Sequence, residues 1–290
     1  MEEIVYLNGS LIPRSKAWVS AFDHGFLYGY GLFETMRAYG THIFRLGRHL
    51  ARLTQAAEIL GLASKLATFD LERAARDTLS ANDLKDGSIR LTVSGGEGEM
   101  VPDPSTCRYP TVLIAARGYT PYPIQTYKRG FRAVLSSLRR DSQSPLSRIK
   151  SANYLINVLA KMEARASGAD EALLLNELGF LAEGSTCNLF LVAGDILFTP
   201  SLKSGILPGI TREAVLELAS GLGIEAREQE MTLSELFEAD EAFLTSSLLE
   251  IMPLTGVDGK PIGTAKPGAV TERLMAAYKE LVERETRPQE

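Results

Sequence analysis

Short alternations of apolar and polar residues mark the start of the chain: IVYLNG reads as a strand entering a turn, and FETMRAYGTHIFRL as a hairpin bending at Gly40. The period then lengthens. Leu46, Leu50, Leu53, Ala57 and Leu60 recur at helical spacing, which predicts an amphipathic helix ended by Gly61. A second helix over roughly Asp70–Asn82 precedes two strands, SIRLTVSGG and TVLIAAR. The stretch GYTPYPIQTYKRG carries two prolines and little periodicity, so it predicts a linker. The pattern gives an α/β N-terminal domain over 1–117, a linker over 118–130 and a second domain over 131–290 that begins with FRAVLSSL.

In the second domain, SRIKSANYLINVLAKMEA (Ser147–Ala164) reads as one long amphipathic helix with Lys150 at its mouth. Strand-like runs follow: EALLLNELGFLAEG with a turn at Asn176–Gly179, and NLFLVAGDILFTP turning at Gly194 and Asp195. A helix over Thr211–Ser220, the apolar strand pair AFLTSSLLEIMPL and a terminal helix from Pro267 complete the prediction. The class is mixed α/β (α+β).

Composition narrows the partners. At 290 residues and 45% hydrophobic, the chain can bury an ample core in two domains. No apolar run approaches the roughly 18 residues of a membrane span, and the start MEEIVYLNGS is acidic where a signal peptide is basic. A cytoplasmic location and no membrane partner are expected. Basic and acidic residues, 31 and 36, are interspersed with a net charge of −5, which gives no nucleic-acid footprint. Cys107 and Cys187 lie far apart without a CxxC, so neither a disulfide framework nor a metal site is suggested. A small-molecule ligand is the expectation that remains.

Three features could serve such a ligand. Lys150 would put a cation at the unfavourable end of a helix dipole, which reads either as a solvated lysine or as one whose nitrogen is covalently used. Tyr154 would lie one turn later on the same face, with Lys161 too far along to share its pocket. In LPGITREA, Gly209 permits a tight turn, and Ile210 and Thr211 would offer backbone N–H groups and a hydroxyl to an anion, or simply form an N-cap. In AEGSTCNLF, Glu183 is either a solvated strand end or a carboxylate opposite a protonated heteroaromatic nitrogen. An amine, an anion cradle and a carboxylate together fit pyridoxal 5'-phosphate.

The blocks FDHGFLYGYGLFETMRAY, HLARL, IKSANYLINVLAK, AEGSTCNLF, LPGITR and TSSLLEIMP, in this order over nearly the whole chain, resemble the class IV (fold type IV) pyridoxal-phosphate enzymes. The resemblance implies that Lys150 is the Schiff-base lysine and general acid/base, Glu183 the partner of the pyridine nitrogen and Tyr154 a contact of the ring oxygen. Arg52, Ile210 and Thr211 match the phosphate donors, and Ser247 stands in place of a phosphate-touching threonine. Arg37 and Arg90 are candidate anchors for a substrate carboxylate on strands facing the cofactor, or else a surface pair; Tyr28 and Thr35 would line the same pocket. The implied fold is a small α/β N-terminal domain plus a larger C-terminal pseudo-barrel domain, with the cofactor in the cleft and a homodimer that places the site near the subunit interface.

The implied activity is transfer of an amino group between an amino acid, branched-chain-like or related, and a 2-oxo acid. Branched-chain members usually read FEG where this chain has Phe33–Thr35, and GTA where it has Ser246, Ser247 and Leu248. The loop GEGEMVPDPSTCRYP lacks the histidine of a D-amino-acid carboxylate trap. FDHGFLYG, FET, TPSL and LEI also resemble 4-amino-4-deoxychorismate lyases, so that activity is the alternative, followed by an (R)-amine transaminase or a non-catalytic cofactor-binding homologue.

Overall fold

The N-terminal alternations pair into one antiparallel sheet in the computed structural model, which describes residues 2–287. Its elements are β1 (Ile4–Leu7), β2 (Ser10–Pro13), α1 (His24–Tyr28), β3 (Gly31–Tyr39), β4 (His42–Ile43), α2 (Leu46–Ile59), α3 (Ala63–Leu66), α4 (Leu71–Ala81), β5 (Asp86–Ser94) and β6 (Thr111–Gly118). The strands run in the order β2-β1-β6-β5-β3-β4. One face of the sheet presents Leu32, Met36, Ile89, Leu91, Val93 and Ile114 to the apolar stripes of α2 and α4, which bury Leu53, Ala57, Ala75 and Leu79. These are the helices the periodicity predicts, and α4 starts where Asp70 accepts a hydrogen bond from Arg73 N.

The remaining elements are α5 (Ile124–Arg129), β7 (Phe131–Arg140), α6 (Leu155–Ala166), β8 (Glu171–Asn176), β9 (Leu181–Gly184), β10 (Asn188–Ala193), β11 (Ile196–Pro200), α7 (Ile210–Gly221), β12 (Glu225–Gln229), α8 (Leu233–Glu238), β13 (Glu241–Ser246), β14 (Glu250–Val257), β15 (Lys260–Pro261) and α9 (Ala269–Glu285). Their sheet runs β12-β11-β10-β13-β14-β7-β8-β9, with β15 on β14. Terminal β9 also touches β10 and β11, so the sheet curls on itself as a pseudo-barrel. It closes over Leu173, Leu189, Leu191, Leu244, Met252 and Leu254.

By internal contacts the chain forms two compact units: residues up to Thr120 with Ile149–Asn153 and the chain from Val282, and Pro121–Arg148 with Tyr154–Leu281. The segment expected to be a plain linker contains the six-residue α5, started at Pro123.

The helix expected over Ser147–Ala164 begins eight residues late, at Leu155, with Tyr154 as its N-cap residue. Lys150 is therefore not at a helix mouth, the dipole argument does not apply, and Tyr154 does not stand one helical turn above it. Two effects extend the chain instead. The outer edge of β3 needs partners, and Phe33 N donates to Lys150 O (2.9 Å) while Ala152 N donates to Gly31 O (2.8 Å). Ser151 Oγ accepts from Asn153 N at 3.0 Å, a local bond that competes with helix.

Candidate active site

The strip at residues 149–153 sets the orientation of Lys150. Leu32 bridges Ser151 in antiparallel register, so Lys150 lies opposite Phe33 and projects from the same sheet face. Its Nζ sits 4.6 Å from the centroid of the Phe33 ring. Arg90, paired with Thr35 across β3 and β5, brings its guanidinium carbon to 3.4 Å from the same centroid. Long contacts join Arg90 Nη1 to Thr35 Oγ1 at 3.5 Å and Arg90 Nε to Thr92 Oγ1 at 3.4 Å. Lys150, Phe33, Thr35 and Arg90 thus form one group.

Arg52 belongs to the opposite, α2-covered face. There Glu34, with no exposed surface, accepts from Arg52 Nε (2.8 Å) and Nη2 (2.6 Å), and pairs with His49 Nδ1 at 2.8 Å. His49 and Arg52 are three residues apart on α2, which stacks both over one carboxylate. Burial by itself would raise the Glu34 carboxyl, but the Arg52 charge and the hydrogen bonds from His49 and Arg52 outweigh it and hold the group at about 2. Burial pushes His49 down from its ordinary value; Glu34 opposes the shift, and the charges of Arg52 and Lys150 add to it. Lys150 is thereby within electrostatic reach of this cluster.

Arg37 is not one of a surface pair. Its side chain is buried, Nη1 donates to Ala38 O (3.0 Å) and Gly87 O (3.3 Å), and Nη2 reaches Asp86 at 3.4 Å. The guanidinium is stacked 4.7 Å from the Tyr39 ring and 4.3 Å from the Tyr119 ring. It holds the far end of the sheet and does not join Arg90. Tyr28, the last residue of α1, is partly exposed and meets His24 edge-on at 5.0 Å.

In the second unit Glu183 is buried at the end of β9. Its Oε1 lies 3.0 Å from Arg140 Nη2, and its Oε2 accepts from Asn188 Nδ2 (3.1 Å) and Leu207 N (3.0 Å). Arg140 is itself fixed by donating to Gly205 O and Ser147 O. Asn188 Nδ2 also donates to Leu207 O at 2.9 Å and so ties β10 to the approach of α7. Gly209 caps α7 without a side-chain hydrogen bond, and a Cβ there would collide with Asn188 Oδ1. Glycine is thus required by close approach, and Ile210 and Thr211 open the helix as buried residues. Ser247 lies in the turn between β13 and β14, and Tyr154 is half-buried at the start of α6.

Glu34, His49, Arg140 and Asn188 are the residues the sequence reading missed. Each had a local signal: His49 precedes Arg52 at helical spacing in HLARL, Glu34 falls inside FETMRAY, Asn188 falls inside AEGSTCNLF, and Arg140 follows the apolar run FRAVLSSL. A buried role for each depends on a partner distant in sequence.

The family model described as amino-transferase class IV matches residues 31–257. The chain belongs to the class IV aminotransferases. It is 40% identical over 280 residues to a protein of Methanocaldococcus jannaschii provisionally named a branched-chain-amino-acid aminotransferase, covering 96% of each chain. It is 36% identical over 278 residues to the aminodeoxychorismate lyase of Bacillus subtilis, covering 95% of this chain and 94% of that one. Among solved structures, the T.th. branched-chain amino acid aminotransferase with pyridoxamine 5'-phosphate superposes with a TM-score of 0.91 at 34% identity, covering 99% of this chain and 96% of that one. The fold is therefore fold type IV.

Proposed function

We propose that this class IV aminotransferase uses pyridoxal phosphate to move the amino group of an amino acid, branched-chain or of similar size, to a 2-oxo acid. The observation that carries the reading is the Lys150 amine above the Phe33 ring, on the sheet face that also carries the Arg90 guanidinium. That face brings a nucleophilic amine together with a cation able to hold a carboxylate.

The donor set fits the cofactor. In the second unit the mouth of α7 supplies Ile210 and Thr211 N–H groups at a cap with no side-chain bond of its own, which suits a phosphate dianion; in the first unit Arg52 is a cation of the charge such a group requires. Thr245, in register with Asn188, keeps a buried hydroxyl without a partner among the described residues on that side of the sheet. When bound, the cofactor supplies an aldehyde and a protonated ring that draws electrons from the substrate α-carbon.

The chain's own residues would do the rest. Lys150 is the amine that would hold the cofactor's aldehyde and, when free, would serve as the base for the substrate α-proton. Glu183, its carboxylate plane fixed by Arg140, Asn188 and Leu207 N, would hold the proton of the ring nitrogen. Tyr154 would donate to an oxygen on the ring, and Ser247 would offer a hydroxyl to the phosphate. Arg90 anchors the substrate carboxylate beside Thr35 and Tyr28, and Phe33 keeps water from the amine. Arg37 has no place in this set because its guanidinium is committed within its own sheet.

A homodimer is part of the proposal. Leu155, Val158, Leu159 and Met162 recur at helical spacing and lie exposed along α6, a stripe suited to a second copy. The identity with an aminodeoxychorismate lyase favours a second reading, in which the same residues release pyruvate and 4-aminobenzoate from 4-amino-4-deoxychorismate.

The deciding experiment follows the visible absorbance of the cofactor-loaded protein after adding L-amino acids, D-amino acids or (R)-amines with no oxo acid present. The aldehyde form should be lost, fastest with a branched-chain or related L-amino acid. If every donor leaves it intact while pyruvate appears from 4-amino-4-deoxychorismate, the lyase reading replaces this one.

A further inference from the structure

We infer that Glu34 is the positioning residue of the phosphate subsite: through its fork to Arg52, supported by His49, it fixes the plane in which the arginine meets the anion. The inference rests on the cofactor reading above and extends it to a residue that does not itself touch the ligand.

The geometry is specific. Both Glu34 oxygens are used, Oε1 by Arg52 Nε at 2.8 Å and Oε2 by Arg52 Nη2 at 2.6 Å, so the guanidinium is held by two parallel bonds along one edge. A single bond would leave rotation about the contact; two remove it and fix the plane of the guanidinium. Glu34 has no freedom to follow a wandering arginine, since it sits on the core face of β3 and its Oε2 is also engaged by His49 Nδ1 at 2.8 Å. Because the carboxylate is ionised, it accepts the Nδ1 proton of neutral His49, which sets the histidine tautomer.

A buried ion pair of this kind is weak evidence for stability, because hydrophobic residues of similar volume often do as well. What it provides is orientation. An arginine that must bind a dianion gains from being ordered beforehand, because the entropy of immobilising a long side chain is then not lost when the ligand arrives. The arrangement corresponds to a metal-ligating histidine aimed by a carboxylate behind it.

The test compares pyridoxal phosphate with pyridoxal, which lacks only the phosphate, by fluorescence titration of the full-length apoprotein. Glu34→Gln keeps the shape but cannot accept the fork, and should weaken pyridoxal phosphate at least tenfold while changing pyridoxal less than twofold. On an Arg52→Ala background the same substitution should add nothing. Glu34→Asp, which keeps the charge but is one methylene too short for the fork, should lose phosphate preference in the same direction, and it decides the matter if the glutamine variant does not fold. Equal weakening of both ligands, or an unchanged preference in both variants, overturns the inference. If the unsubstituted protein itself binds neither ligand, the cofactor reading has failed.

Discussion

At Glu34 a carboxylate without exposed surface remains ionised only because Arg52 and His49 surround it. That has a pH signature of definite sign. The group falls from its ordinary 4.5 to about 2 in the folded chain, so its contribution is present above 4.5 and is lost as the pH drops toward about 2. The depression corresponds to on the order of 3 kcal/mol. His49, also held below its ordinary 6.5, acts in the same direction over a higher window, since only the unfolded chain gains its proton as the pH first falls. The stability gap between the unsubstituted protein and Glu34→Gln, measured by urea unfolding, should therefore be largest near neutral pH and shrink toward pH about 3. A gap independent of pH would show that the pair is not ionised as described.

Elements with a strong period were legible in the chain. α2 and α4 each bury one apolar stripe against the sheet, and Asp70 marks the start of the second helix as an N-cap should. The hairpin turns at Gly40, Asn176–Gly179 and Gly194 also fall where glycine and asparagine predict them. Residues 149–153 were misread because their apolar spacing continues that of α6, whereas the hydrogen bonds that extend them come from the edge of β3, more than a hundred residues earlier. The burial of Arg37 is not legible for a related reason: a strand position gives the face of a side chain and not the tyrosines that enclose it. α6 also carries a prediction of its own. If its exposed stripe meets a second copy, Leu155→Glu with Met162→Glu should sediment as a monomer while the unsubstituted protein sediments as a dimer. A monomeric parent, or a variant that still dimerises, would remove α6 from any interface.

Across the whole molecule, the residues assigned to chemistry come from segments that no window of sequence contains. The first unit holds Phe33–Thr35, the His49 and Arg52 side of α2, Arg90, and Lys150 on a strip returned to it from later in the chain. The second holds Arg140, Glu183, Asn188 and the glycine-capped start of α7. The motif order identified the family, but Glu34 behind Arg52 and Arg140 behind Glu183 emerge only when strands and helices are packed. If Lys150, of the lysines, carries the cofactor as proposed, borohydride reduction of the loaded protein followed by peptide mapping in the mass spectrometer will locate the label there. The phosphopyridoxyl mass should appear on the peptide containing Lys150 and not on Lys161, and it should be lost in Lys150→Ala. A label on another lysine of the unsubstituted protein, or one that survives in Lys150→Ala, would contradict the proposal.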